Sequence, residues 1–336
     1  MRAVVLKEFN SSLLTVEDIP TPELKRGQVL VKLAAAPVNP SDLIFLRNQY
    51  GVKKEPPVVP GFEGSGAVVA SNAGLYGRWL VGKRVACRAP EDGNGTWAEY
   101  MATDSKSVVP LLRGVTLEQG ASLLVNPLTA WALLSMARKE HHHGFVQTAA
   151  ASALGQMIER LARRWQMVSI NIVRRREQVE LLKKNGAVHV LDSSATGFEE
   201  QLHVLSERHK IRLAFDAVGG DLTSRVASAM PKGSKVVVYG ALAGENCQMS
   251  PLSLIFEDKK LEGFWLSDWI KKIGFLRKLK MATGAQKLLA TDLATHVQAR
   301  FPLEKIQDAI ALYKEKRIVG KVLLIPTPLA SSSIYQ

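Results

Sequence analysis

Short alternating or apolar runs dominate the first third of the chain. Ala3–Leu6, Gln28–Leu33, Gly66–Ala70, Arg84–Arg88 and Glu99–Thr103 each have the length and patterning of a strand. Pro20, Pro22, Gly27, Pro37, Pro40, Pro56, Pro57, Pro60 and Gly61 punctuate them. Residues 1–115 therefore predict a small barrel-like β domain. The texture changes after Leu117. Glu118–Arg138 has helical composition, and a regular alternation follows. Phe145–Ala149 predicts a buried strand, Leu154–Trp165 a helix, Val168–Val173 a strand and Glu177–Asn185 a helix. Val188–Leu191, Leu213–Ala217 and Lys235–Tyr239 continue the strands. Such alternation predicts a parallel sheet with helices on both faces. After about Ser267 the pattern returns to helix and closes with a strand at Gly320–Ile325, ahead of a short polar end at Ser331–Ser333.

The segment Phe145–Gly155 is the first candidate site. In the helix that follows, Leu154, Met157, Ile158, Leu161, Ala162 and Trp165 recur at the spacing of one buried face. The loop before it thus lies at a helix N-terminus, where free N–H groups suit a dinucleotide pyrophosphate. Read against G-x-G-x-x-G, the glycine positions are Ala150, Ser152 and Gly155. Small residues still admit a phosphate, and they equally suit an ordinary buried strand-to-helix turn. The next strand ends in Arg174, Arg175 and Arg176. An NAD site wants an acid here for the ribose hydroxyls. Three arginines suit a 2′-phosphate, or else a solvated basic helix start. Basic residues at a helix N-terminus oppose its dipole, so a bound anion gives them a reason to be there. The expected cofactor is NADPH.

Composition narrows the partners. The chain has 336 residues, 46% hydrophobic and 22% charged, which suits a globular protein of two domains. With 44 Lys plus Arg against 31 Asp plus Glu, the net charge is +13. That balance suits a phosphate-bearing cofactor, a CoA thioester or an acidic carrier protein, or is simply a solvated basic surface. No basic block interleaved with aromatics stands out, so no nucleic-acid partner is expected. Cys87 and Cys247 stand in separate regions, which points to a reducing compartment. The first residues lack a signal-peptide core, and Ala121–Leu134 is interrupted by Asn126 and Pro127 and too short to span a bilayer. A cytoplasmic protein without a membrane partner is expected. Zinc needs converging Cys and His ligands. Two isolated cysteines and the consecutive His141–His143 do not supply them, so no metal is expected.

Several motifs together resemble the medium-chain dehydrogenase/reductase superfamily. They are Asn39–Asp42, Pro60–Gly64, Gly95–Tyr100, Asn126–Ala130, the loop above and Gly320–Lys321. Zinc members carry a histidine where Phe62 stands and a cysteine before the aspartate at Asp42; both are absent here. Arg47–Gly51, Val125–Ala130, Ile170–Arg176 and Gly263–Ser267 bring the resemblance closest to the zinc-independent 2-enoyl thioester reductases, with quinone oxidoreductases next. The resemblance implies an α/β fold. A Rossmann NADP-binding domain at 119–266 would join a GroES-like barrel domain at 1–118, to which 267–336 returns.

By position, the resemblance makes Tyr50 the catalytic residue. It implies cofactor contacts from Asn126, Thr129, Ala151, Ser152, Ala153, Leu154 and Arg174–Arg176. Tyr239, Gly240, Ala241, Leu242, Phe264, Trp265, Leu266 and Lys321 complete that set, with Trp97 and Trp269 lining the substrate. Each has a plainer reading. Tyr50 could pack or cap, the tryptophans could be core, and Lys321 could be an ordinary strand-start lysine. Asp42 and Glu63 read as loop-ordering residues. Ala153 replaces a usual glycine and Arg175 a common acid, which leaves acyl specificity open. The implied reaction is hydride transfer to the β-carbon of an α,β-unsaturated carbonyl, on CoA or a carrier protein. A quinone reductase and a catalytically silent NADPH-binding protein are the alternatives. A homodimer through the edges of the cofactor domains is expected.

Overall fold

The structure is a computed structural model that describes residues 1–10, 14–315 and 320–326, so the expected polar end at Ser331–Ser333 lies outside the described residues. Two compact units emerge: Met1–Val125 with Ala282–Gln336, and Asn126–Met281. The changeovers anticipated at 118/119 and 266/267 thus fall at 125/126 and 281/282.

The first unit opens with β1 (Arg2–Val5) and β2 (Thr15–Asp18), paired antiparallel. Then come β3 (Gln28–Pro37), α1 (Pro40–Leu46), β4 (Glu63–Ser71), α2 (Gly74–Leu80), β5 (Arg84–Arg88), β6 (Tyr100–Asp104), β7 (Val108–Pro110) and α3 (Leu117–Ala121). β3 and β4 outrun their predicted spans. The small residues Ala34–Ala36, Gly64 and Ser65 carry no alternation, yet Ala35 still pairs with Ser65. At Gly66 an added Cβ would lie 2.0 Å from the Lys32 carbonyl oxygen, so only glycine lets the strands approach this closely.

The second unit alternates as expected. Its elements are α4 (Asn126–Lys139), β8 (Gly144–Gln147), α5 (Ala153–Arg164), β9 (Val168–Val173), α6 (Arg176–Lys184), β10 (His189–Asp192) and α7 (Phe198–Arg208). β11 (Leu213–Asp216), α8 (Asp221–Ala229), β12 (Lys235–Val238), α9 (Pro251–Phe256), β13 (Lys260–Gly263), α10 (Leu266–Lys272) and α11 (Phe275–Lys287) follow, α11 running on into the first unit. The strands form one parallel sheet in the order β10-β9-β8-β11-β12-β13. This is the Rossmann arrangement, and the order reverses between β8 and β11. Val146, Ile170, Ile172 and Ala214 from the strands pack with Phe198, Leu202 and Val226 from the helices. Every residue of β13 is exposed. Lys-Leu-Glu-Gly carries no strand signal of its own; it is extended because β12 offers a free edge.

The chain returns to the first unit with β14 (Val297–Phe301), α12 (Ile306–Glu315) and β15 (Lys321–Leu324). The sheet order is β14-β15-β3-β4-β5-β7, with β6 also on β3. Beneath it lies a core of Val4, Leu6, Phe45, Val59, Ile306 and Val322, with Trp97 at its centre. Trp97 is wholly buried, and its indole N–H donates to the Pro37 carbonyl at 3.2 Å. The resemblance implies that it lines the substrate; in this structure its side chain packs the core.

Four polar side chains are buried beside that core. Asn39 caps α1, and its backbone N–H donates to Asp42 at 2.7 Å. The other Asp42 oxygen accepts from Phe62 N–H at 3.1 Å. Glu63 accepts from the Asn39 amide at 3.0 Å, and from the N–H groups of Leu124 and Val125, each at 3.0 Å. The Lys321 ammonium donates to the Asn39 side-chain oxygen. Asp42 and Glu63 therefore order backbone, as read from the sequence. Burial pushes Asp42 up to about 7, raises Glu63 and lowers Lys321. Only 3% exposed, Lys321 joins this cluster in the structure, where the resemblance implies a cofactor contact. Glu63 also explains why Glu118–Arg138 is two helices rather than one. It takes N–H groups at residues 124 and 125 that a continuous helix would have bonded internally, and Pro127 suits the first turn of the helix that restarts. Replacing Glu63 by Ala leaves those N–H groups and the Asn39 amide without their acceptor and removes the opposite charge that offsets Lys321. The expected cost is about 3–5 kcal/mol, checked by urea unfolding against the parent; a loss under ~1 kcal/mol would refute the anchoring role.

Candidate functional site

In a parallel sheet all carboxyl ends fall on one edge, and ligands of open α/β sheets lie outside that edge at the switch point. The segments following β8, β9, β12 and β13 are residues 148–152, 174–175, 239–250 and 264–265. Ala151, Ser152, Arg174, Arg175, Tyr239–Leu242, Phe264 and Trp265 fall inside them. Ala153, Leu154, Arg176 and Leu266 lie within the first two positions of the helices that follow. Topology thus brings most of the anticipated cofactor contacts to one edge. Asn126 and Thr129 stand in the first turn of α4, both buried.

The switch point is stitched from below. Thr148 donates its hydroxyl to Asp216 at 2.6 Å and accepts from Ala217 N–H at 2.9 Å. Asp216 also accepts from the Thr223 hydroxyl at 2.6 Å and from Val218 N–H at 2.8 Å. Above this, the loop turns at Ala149, whose φ of +49° is a left-handed conformation uncommon for alanine. Ser152 caps α5 by accepting from Gly155 N–H at 3.1 Å. At Gly155 an added Cβ would lie 2.6 Å from the Ala150 carbonyl oxygen, so the one surviving glycine is the one that packing demands. Gln147 donates to the Gly155 carbonyl at 3.1 Å and to Asn171 at 2.6 Å, and Asn171 donates to buried Glu159 at 3.0 Å. This chain pins the start of α5 to β8 and β9.

The three arginines stand exposed where β9 gives way to α6, Arg175 at the cap position. Arg174 N–H donates to the Gln178 side chain at 3.1 Å, and Arg176 lies 3.6 Å from Glu180 on the solvent side. No Asp or Glu occupies positions 174–176. On the far side of the switch point, Gly240 abuts Ala217: an added Cβ would lie 2.7 Å from that carbonyl oxygen. The Tyr239 hydroxyl is shut away from solvent without a hydrogen-bond partner, and burial raises its pKa. A close-packed backbone at Gly155 and Gly240, an orphaned hydroxyl and exposed guanidinium groups fit a dinucleotide bearing an extra phosphate. Phe264 and Trp269 sit 6.4 Å apart, Trp269 half-buried and Trp265 more exposed.

Tyr50 lies in the first unit, in the segment after α1. Its ring is 4.7 Å from that of Phe62, which packs edge-on to Phe45 at 5.5 Å. Lys54 is the neighbour that motif matching missed. Its ammonium donates to the Gly93 carbonyl at 2.6 Å and stands 5.9 Å from the Phe62 ring. Burial lowers it to about 8, against the pull of Asp92 and Asp42. Nothing in the surrounding sequence distinguishes Lys54 from its exposed neighbour Lys53. Among the described residues no group of three or more His, Cys, Asp or Glu is arranged to hold a metal. His142 faces Glu140 at 3.6 Å while His143 bonds the His209 carbonyl at 2.7 Å, so the histidine run diverges. No described helix is long and apolar enough to cross a membrane.

Comparison with known proteins agrees with this architecture. Residues 25–113 match the alcohol dehydrogenase GroES-like domain and residues 153–280 the zinc-binding dehydrogenase family. The chain therefore belongs to the medium-chain dehydrogenase/reductase superfamily, a GroES-like unit joined to a Rossmann unit. Within that class it is an oxidoreductase. Mitochondrial enoyl-[acyl-carrier-protein] reductase from Arabidopsis thaliana is 32% identical over 276 residues, covering 80% of this chain and 73% of that protein. The Homo sapiens protein of that name is 30% identical, covering 81% and 74%. A Mesorhizobium loti structure, provisionally named an NADPH:quinone reductase, superposes with a TM-score of 0.89 at 35% identity, covering 97% of this chain and 98% of that one.

Proposed function

We propose that this oxidoreductase is an NADPH-dependent, zinc-independent reductase of α,β-unsaturated carbonyls, with 2-enoyl thioesters on CoA or a carrier protein as its substrate class. The observation that carries the cofactor assignment is the Arg174–Arg176 run at the end of β9, where an NAD site would hold an acid. The relatives named enoyl-[acyl-carrier-protein] reductase support the substrate class.

Arg174 and Arg175 hold the 2′-phosphate by charge-assisted bonds. The N–H groups at the start of α5 would hold the pyrophosphate, and Ser152 orders that helix start by capping it through Gly155. Tyr239 offers its hydroxyl as a donor or acceptor. NADPH, when bound, supplies the hydride for the substrate β-carbon. Tyr50 supplies a hydroxyl at the carbonyl oxygen, where negative charge develops, or a proton to the α-carbon. Phe62 packs against the Tyr50 ring at a tilt of 41°, and Lys54 sets a positive charge over the Phe62 ring.

A second reading, NADPH:quinone reductase, is favoured by the Mesorhizobium loti likeness. Turnover of crotonyl-CoA and longer enoyl-CoA against a panel of quinones decides between them. Tight NADPH binding with turnover on neither panel would leave a silent binding protein. We further propose a homodimer through β13. Among the described residues no strand pairs with its outer edge, and Leu252, Ile255 and Phe256 of the preceding α9 are exposed.

Three outcomes follow. Arg174→Ala with Arg175→Ala weakens NADPH binding by roughly 10- to 100-fold while sparing NADH; an unchanged NADPH:NADH preference in titrations of both cofactors would remove the phosphate assignment. Tyr50→Phe lowers kcat on enoyl thioesters by about 100-fold or more with little change in NADPH affinity; near-normal turnover would return Tyr50 to a packing role. In sedimentation equilibrium the parent runs at twice the monomer mass and Phe256→Asp shifts it towards monomer; a monomeric parent would refute the edge-paired dimer.

A further inference from the structure

Helix α2 has one side committed to packing and one side that is left exposed among the described residues. Gly77 and Leu80 are its buried residues. At Gly77 an added Cβ would lie 2.1 Å from the Ser71 hydroxyl and 2.6 Å from the Ala73 Cβ, so the helix is pressed directly onto the end of β4. Leu75, Tyr76 and Trp79 point away from that contact, Leu75 79% and Trp79 54% exposed, and Val81 extends the same surface. Gly74 and Gly82 flank them with nothing within 4 Å of an added Cβ, so the patch protrudes. The two aromatic rings are stacked, 5.8 Å apart at 20°, and the Lys83 ammonium stands 5.3 Å from the Trp79 ring. Two large aromatics and a leucine held in water by a helix that does not need them for its own packing mark an interaction surface.

Charge selects the partner. The turn at residues 24–27 is bonded to the base of α2: Gly27 N–H donates to the Asn72 carbonyl at 2.8 Å, and the Asn72 amide to the Leu24 carbonyl at 3.0 Å. Ser105 N–H donates to the Gly27 carbonyl at 3.0 Å, bringing residues 105–107 alongside. Lys25, Arg26, Arg78, Lys83 and Lys106 are therefore grouped around the aromatic tip, all exposed, against the exposed acids Glu23 and Asp104. A convex apolar tip with Trp and Tyr, ringed by cations, is complementary to an anionic bilayer surface. The aromatics sit at the headgroup level, the leucine reaches the acyl boundary, and Lys and Arg meet lipid phosphates and carboxylates. A protein partner would need a pocket of its own to receive so protruding a tip, and the bilayer needs none.

We infer that the α2 surface is a peripheral docking site for anionic membranes, with Leu75, Tyr76 and Trp79 as the inserted residues and the surrounding Lys and Arg as the electrostatic ring. This revises the expectation of no membrane partner, which rested on the absence of a spanning segment. The test is co-sedimentation of the full chain with phosphatidylcholine vesicles, either pure or containing about one-third phosphatidylserine. Binding is expected to the anionic vesicles only, and to fall as salt rises. Leu75→Ser with Trp79→Ser should weaken it about tenfold or more. Arg78→Glu with Lys83→Glu should weaken it by at least roughly fivefold per charge, without lowering the thermal midpoint, because these side chains are exposed. Equal binding to both vesicle types, no binding to either, or variants that bind as the parent does would overturn the assignment. Binding confined to an acidic protein such as an acyl carrier protein would overturn it in favour of a protein partner.

Discussion

The bond between Thr148 and Asp216 joins the two strands at which the order of the parallel sheet reverses, and the candidate site depends on that reversal. β8 and β11 are sequence-distant, yet their carboxyl ends must diverge to opposite sides to leave a crevice. A buried aspartate is costly unless its oxygens are taken up. Here Thr148, Thr223 and the N–H of Val218 take them up, and all belong to segments leaving that edge. The same groups that neutralise the cost of burying Asp216 thereby set where the two loops depart. The Gln147–Asn171–Glu159 chain does the equivalent work one layer deeper, under the start of α5.

The first unit uses buried polar groups differently. Asn39, Asp42, Glu63 and Lys321 come from α1, its cap, β4 and β15, far apart in the chain. Together they bind backbone at residues 39, 62, 124 and 125. Burial disfavours the charged forms of Asp42, Glu63 and Lys321, so the cluster is worth keeping only for what it positions. What it positions is the segment bearing Phe62, against which Tyr50 packs, and the break that separates α3 from α4.

Exposed apolar residues occur in both units. In the second, Leu252, Ile255 and Phe256 of α9 precede the edge strand β13, while Val188, Phe275 and Leu276 stand exposed elsewhere. In the first they sit on a short helix with no edge beside it and with cations around it. The helical and sheet geometries alike leave these side chains nothing to cover within their own unit.

Much of this was legible without coordinates. The period-two runs marked β1 and β3 to β6, the alternation after residue 144 marked the parallel sheet, and Val168–Val173 and Arg84–Arg88 matched to the residue. Those signals are local: each strand or helix buries one face, and hydrophobic spacing records it. The motif at residues 150–155 and the arginines at 174–176 were also local, because they fall in single loops after single strands. What escaped were features made by distant partners. β13 is a strand only because β12 lends it an edge. That Trp97 lies in the core and Lys321 in a buried polar cluster was not legible, since burial is decided by what packs over a side chain. Lys54 differs from Lys53 only by a carbonyl at residue 93. The amino-acid sequence by itself determined the class, the order of elements and the cationic character of the cofactor edge, because each follows from residues within a few turns of one another. Which polar groups share a buried cluster, which aromatics face water and which loops meet at the switch point were decided by the tertiary structure alone, because each depends on surfaces contributed from elsewhere in the chain.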